Sequence, residues 1–97
     1  MQQLRIYTIK QGEMPDWIGE WKSVIVPLRK QFGFELVNAW TADEPERFVW
    51  VLRYDGDKSW GEADADYYNS PERKALDPDP ARHIDHSEHF LMREVRL

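Results

Sequence analysis

Residues 48–54, Phe-Val-Trp-Val-Leu-Arg-Tyr, restrict what this chain can fold into more than any other stretch. They combine β-branched and aromatic residues and end at Asp55-Gly56, a turn-forming pair, which predicts a strand. Alternate side chains on a strand face opposite sides. Phe48, Trp50, Leu52 and Tyr54 therefore share one face, and Val49, Val51 and Arg53 the other. Both faces are largely apolar, so both need cover, and the strand belongs at the centre of its sheet.

The remaining elements fall into place around it. Residues 4–9 alternate as a first strand, with Leu4, Ile6 and Thr8 on one side and Arg5, Tyr7 and Ile9 on the other. After Gly12, Pro15 suits a first helical turn and Asp16 complements the positive helix end. Trp17, Trp21, Val24, Leu28 and Phe32 then recur at helical spacing. Pro27 falls inside this helix and is expected to bend it, because its ring meets the carbonyl of Ser23. Gly33 supplies the stop. Residues 34–41 form a second strand, with Phe34, Leu36, Asn38 and Trp40 on its bulky side and Val37, Ala39 and Thr41 opposite. The acidic turn at residues 43–46 joins it to the central strand as a hairpin.

Ser59 and Glu62 fit a capping box for a second helix, whose inner stripe is Trp60, Ala63, Tyr67 and Tyr68. Ser70-Pro71 opens a short extra helix over residues 71–76. The Asp-Pro-Asp-Pro run at 77–80 is a stiff connector, and residues 90–96 alternate as a last strand. The order β-α-β-β-α-β is the split arrangement of an α+β, ferredoxin-like fold in one domain spanning 1–97. It consists of a four-stranded antiparallel sheet with two main helices on one face. Right-handed crossovers place the first and third strands in the middle.

Two helices roof only one side of such a sheet. The other side is expected to carry Leu4, Ile6, Val37, Ala39, Val49, Val51, Leu91 and Val95, more apolar surface than monomers usually expose. A homodimer packed sheet to sheet solves this. Burying ~600 Å² per partner at about 25 cal/mol per Å² contributes roughly 15 kcal/mol before association costs.

Composition narrows the partners. The net charge of −5, with acids scattered along the chain, disfavours nucleic acid and anionic membrane surfaces, which both need clustered cations. Without cysteine there is no disulfide, thiol nucleophile or cysteine metal site. No apolar run reaches spanning length and no cationic-then-apolar leader is visible, so a cytoplasmic location is expected.

Several ordered fragments resemble the NIPSNAP family. They are Leu4-Arg5-x-Tyr7, Gly12, Val26-Pro27-Leu28, Gly33-Phe34, Ala39-Trp40, Val49-Trp50, Arg53-Tyr54-Asp55 and Tyr68-x-x-Pro71-Glu72-x-Lys74-Ala75-Leu76. The resemblance runs from Leu4 to Leu76, and the connector at 77–86 departs from it. It implies a dimeric α/β barrel with a pocket inside each subunit, between sheet and helices. Relatives in that superfamily include cofactor-free monooxygenases, haem-degrading oxygenases and ring-modifying enzymes.

The implied pocket draws its walls from Trp21, Trp50, Tyr54, Trp60 and Tyr67, aromatic surfaces with a few polar tips. Arg5 offers a fork of donors to a carboxylate or enolate oxygen. Tyr7 can stabilise developing negative charge, and His86 can shuttle a proton at the mouth. The alternative is that these aromatics are plain core. His83, His86 and His89 lie three apart, but on a continuous helix the first and third drift by about 240°, so a solvated loop is expected rather than a metal site. The expected function is binding, and in the stronger form transforming, a small hydrophobic or aromatic metabolite without a bound cofactor. The alternatives are a non-catalytic dimerisation or ligand-sensing module, and a cofactor-independent oxygenase or proton-transfer enzyme.

Overall fold

The central strand is where its two apolar faces require it to be. A computed structural model describes residues 1–97 as β1 (Gln2–Ile9), α1 (Met14–Glu20), a π-helical turn (Trp21–Ile25), α2 (Val26–Gln31) and β2 (Phe34–Ala42). These are followed by β3 (Arg47–Tyr54), α3 (Trp60–Asn69), α4 (Pro71–Lys74), a 3₁₀ turn (Pro80–His83) and β4 (Ile84–Met92). The strands form one sheet in the order β2-β3-β1-β4, with every neighbour antiparallel. This is the ferredoxin-like arrangement, and the thinnest dimension of 19 Å fits one sheet under one helical layer. No helix is long and apolar enough to cross a membrane.

Local chemistry explains the helix ends. The Ser59 hydroxyl accepts from the Glu62 amide at 3.2 Å, and Ser70 accepts from the Arg73 amide at 3.1 Å. Gly33, at φ +87°, ends α2 in the left-handed conformation that side chains resist.

Three expectations are corrected, two because one residue changes the phase of a repeat and one because an edge strand carries no apolar stripe. The first helix is not simply bent at Pro27. It widens into the π turn just before it, where the Val26 amide donates to the Trp21 carbonyl. The proline has no amide to give Ser23, and the wider turn absorbs the mismatch. The inner stripe becomes Trp17, Trp21, Ile25 and Leu28, with Ile25 in the place expected for Val24.

In β2 the pairing slips between Leu36 and Asn38. This bulge reverses parity, as one extra residue must. Ala39 now pairs with Trp50 above the sheet, and Trp40 pairs with Val49 below it. The last strand begins at Ile84 rather than near Phe90, and Val95 lies beyond it, exposed. A polar edge strand needs no apolar signature when β1 offers it a full ladder of hydrogen bonds. In this register Leu91 pairs with Gln3 on the helical side and Phe90 with Leu4 on the other. The uncovered face thus carries Leu4, Ile6, Val49, Val51, Trp40 and Phe90, with Trp40 and Phe90 about half exposed.

Candidate functional site

The helical face of the sheet holds an aromatic layer with a charged knot beside it. Trp17 packs edge-on against Tyr7 and Phe48, and Trp21 against Phe48 and Trp50, with centroids 4.8–5.7 Å apart. In the row across the sheet, Arg5 stands between Trp50 on β3 and His89 on β4.

The Arg5 side chain is fully buried, and every arm has a partner. Its Nε donates to Gln3 Oε1 at 2.7 Å. Its Nη1 donates to the hydroxyls of Tyr7 (3.2 Å) and Tyr68 (2.8 Å), and its Nη2 donates to Asp64 Oδ1 at 3.1 Å. The same Asp64 oxygen accepts from Arg29 Nη1 at 2.7 Å. The Arg29 guanidinium also lies 3.8 Å from the centre of the Tyr67 ring and 4.7 Å from that of Phe34, a cation–π arrangement.

Beside this knot a cavity of about 270 Å³ opens toward β4, and its walls include Tyr7, Trp17, Trp50, Tyr67, Arg29 and His89. It exists because the helices roof β1 to β3, while the helical side of β4 is closed only by the short segments after α3.

The residues singled out from sequence separate into groups. Tyr7, Trp50 and Tyr67 line this cavity. Arg5 does not reach it and lies beneath Tyr7 and Tyr68. Trp21 stands behind Trp50 as core. Tyr54 and Trp60 pack on Phe34 at the far end, with centroids 5.2 and 5.3 Å away. His86 pairs with Thr8, is exposed and reaches only the cavity rim. His89 occupies the inner position instead, 6.3 Å from the Tyr7 ring. No three acidic or histidine side chains converge closely enough to hold a metal ion.

Arg29, Asp64, Tyr68 and Arg73 complete the site. Tyr68 was read from sequence only as packing, and the other three were not singled out. Arg29 follows Ile25 by four residues and Asp64 follows Trp60 by four. A charge on each apolar stripe was the available signal.

Burial raises the Tyr7 phenol above its usual pKa against the pull of Arg5, so it is a hydrogen-bond donor at neutral pH. His89 is exposed on β4, yet partial desolvation of its imidazole lowers its pKa, reinforced by Arg5, which favours the neutral ring.

A second cluster fixes the cavity wall from outside. His83 is buried, with Nδ1 2.7 Å from Glu13 Oε1 and Nε2 2.9 Å from Glu20 Oε2. Arg82 clasps both oxygens of Glu20 at 2.8 Å. These contacts tie the 3₁₀ turn to the two ends of α1.

This architecture, an antiparallel sheet with helices on one face and a cavity between them, defines an α+β protein with a ferredoxin-like fold. The sequence profile of the NIPSNAP family matches residues 2–96, and the chain belongs to that family. It is similar to an uncharacterised NIPSNAP domain protein from Burkholderia xenovorans, at 19% identity over 97% of this chain and 93% of that one, with a TM-score of 0.82. A NIPSNAP family protein of unknown function from Agrobacterium tumefaciens superposes with a TM-score of 0.84, at 20% identity over 98% and 87% of the two chains. A protein described as an antibiotic biosynthesis monooxygenase shares the fold more loosely, with a TM-score of 0.65 and 14% identity over 98% of each chain. At these identities the likeness is one of fold. No functionally curated protein shows significant sequence similarity to the chain.

The His83 cluster predicts a pH dependence. Burial opposes charge on His83, but its hydrogen bonds to Glu20 and then Glu13 outweigh that and raise its pKa. A raised histidine stabilises the fold fully below its unfolded value of about 6.5 and loses that contribution as pH rises through the folded value. Urea unfolding of wild type and His83→Gln is therefore expected to differ most below about pH 6.5. The gap should narrow steadily above that, whereas a gap independent of pH contradicts the assignment.

Proposed function

We propose that this NIPSNAP protein is a cytoplasmic homodimer that binds a small hydrophobic or aromatic metabolite in the cavity beneath Tyr68. The cavity carries this reading. Aromatic walls from Tyr7, Trp17, Trp50 and Tyr67 meet polar tips from Arg29 and His89, the composition that orients a small ligand inside an apolar enclosure. The face below the sheet supports the homodimer, since Trp40, Val49, Ile6 and Phe90 form an apolar surface there that no helix covers. Transformation of the bound metabolite, rather than binding alone, is the second reading. Neutral His89 beside the protonated Tyr7 favours proton transfer on a bound ligand, as does the looser likeness to a monooxygenase fold.

Two measurements test the main reading. Light scattering at micromolar protein is expected to give twice the 11.6 kDa chain mass. Trp40→Glu, which puts a charge on the uncovered face, is expected to give the single-chain mass, and a monomeric wild type overturns the dimer. For the cavity, a thermal-shift screen of aromatic metabolites compares wild type with Ala81→Trp, which fills the space from its wall. A ligand present at a hundredfold over its Kd adds about 2.7 kcal/mol to stability, so a shift in wild type that is absent in the filled variant is expected. Equal shifts in both place the ligand elsewhere.

A further inference from the structure

The hydrogen bonds of Arg5 fix more than the position of two tyrosines. A phenol hydroxyl has one hydrogen to donate and lone pairs to accept with. Nη1 of Arg5 donates one hydrogen to the Tyr7 oxygen and the other to the Tyr68 oxygen. Each hydroxyl thus uses its acceptor side on the guanidinium, and neither donates to any protein group. Both residues line the cavity. Both oxygens are bound to one nitrogen, at 3.2 and 2.8 Å, which holds the two hydroxyls as neighbours.

The surrounding wall has the same polarity. Arg29 and Arg73 both line the cavity, and the buried Nε of each has no hydrogen-bond partner; the indole nitrogens of Trp17 and Trp50 are likewise buried and unpartnered. The Arg29 side chain is only 2% exposed, so its free donor is sequestered from bulk water. Three guanidinium groups, those of Arg5, Arg29 and Arg73, lie within 6 Å of the Tyr68 ring centre. Asp64 answers the first two and Asp79 the third, while Asp85 stands exposed at the cavity mouth. The hydrogens left free toward the cavity are those of the two phenols, with guanidinium groups behind them, so a ligand atom that meets both is an acceptor, and negative charge on it strengthens the bonds.

We infer that Tyr7 and Tyr68 form a paired-hydroxyl site for an oxyanion, the carboxylate or enolate oxygen of a small aromatic ligand, with Arg5 as the positioning residue that aims both hydroxyls. This rests on the small-molecule reading above and specifies its ligand class. Arg5 does not touch the ligand. It takes up the acceptor side of each phenol, leaves the O–H free to point inward, and polarises it toward stronger donation.

Calorimetric titration of the full chain with benzoate and 1-naphthoate, each beside its neutral amide, tests the site. Wild type is expected to bind at least one acid about tenfold more tightly than its amide, the span of one hydrogen bond to a charged group. Tyr68→Phe, at a partly exposed position that tolerates the change, is expected to remove most of that preference while leaving amide affinity within about twofold. Tyr7→Phe and Arg5→Lys are expected to lower the same acid-to-amide ratio, which a general loss of packing would not move. Acid and amide binding equally in wild type, or an undiminished preference in Tyr68→Phe, overturns the oxyanion site and leaves the cavity as a neutral aromatic pocket. Binding of none of the four compounds sinks the aromatic-ligand reading together with this one.

Discussion

One carboxylate oxygen holds the interior together. Oδ1 of Asp64, on α3, accepts from Arg5 on β1 and from Arg29 on α2, at 3.1 and 2.7 Å. Sheet and both helices thus meet at a single atom. Two guanidinium groups buried without a counter-charge would cost several kcal/mol each. The helical layer can settle on the sheet only in the position that brings Asp64 between them. Aromatic packing supplies most of the burial, but it is tolerant of small shifts, and the ion pairs are not. The register of helix on sheet is set by charge, and the cavity follows from it, because Tyr7 and Tyr68 are held by the same arginine.

The two sides of the sheet are complementary in kind. Above it, aromatic edges interlock with a buried polar knot, an arrangement that fixes geometry and suits a ligand site. Below it, the pleat presents Leu4, Ile6, Val49 and Val51 flanked by Trp40 and Phe90. Those side chains are apolar, and no helix covers them. The polar edge strand β4 serves both sides, since His89 and Ser87 face the cavity while Glu88 and Phe90 face away.

How much of this could be read from the sequence depends on how local each determinant is. The strand at Phe48–Tyr54, the Ser59 cap and the Gly33 stop are written in a few adjacent residues, and the structure has all three. Phase changes were harder to see. The bulge at Val37 and the π turn before Pro27 each insert one residue into a repeat. Trp40 thereby changes faces and Ile25 replaces Val24, although the composition of each element is untouched. β4 was placed too late because its residues hydrogen-bond to β1 without burying an apolar stripe. The candidate site shows the same division. Arg5, Tyr7 and Trp50 were recognisable as an inward row on central strands. Arg29 and Asp64 answer each other across 35 residues, and no spacing within either helix reports that pairing. His86 and His89 fall on opposite faces because they are three residues apart on one unbroken ladder, and which of them faces inward depends on the register against β1.

The most direct check on the charged knot as the organising contact is equilibrium urea unfolding of Asp64→Ala at neutral pH. Leaving Arg5 and Arg29 without their shared carboxylate is expected to cost about 3 kcal/mol, the lower end of the range for breaking a buried pair. A loss below about 0.5 kcal/mol, the size of an ordinary surface substitution, would show that packing alone sets the helices on the sheet.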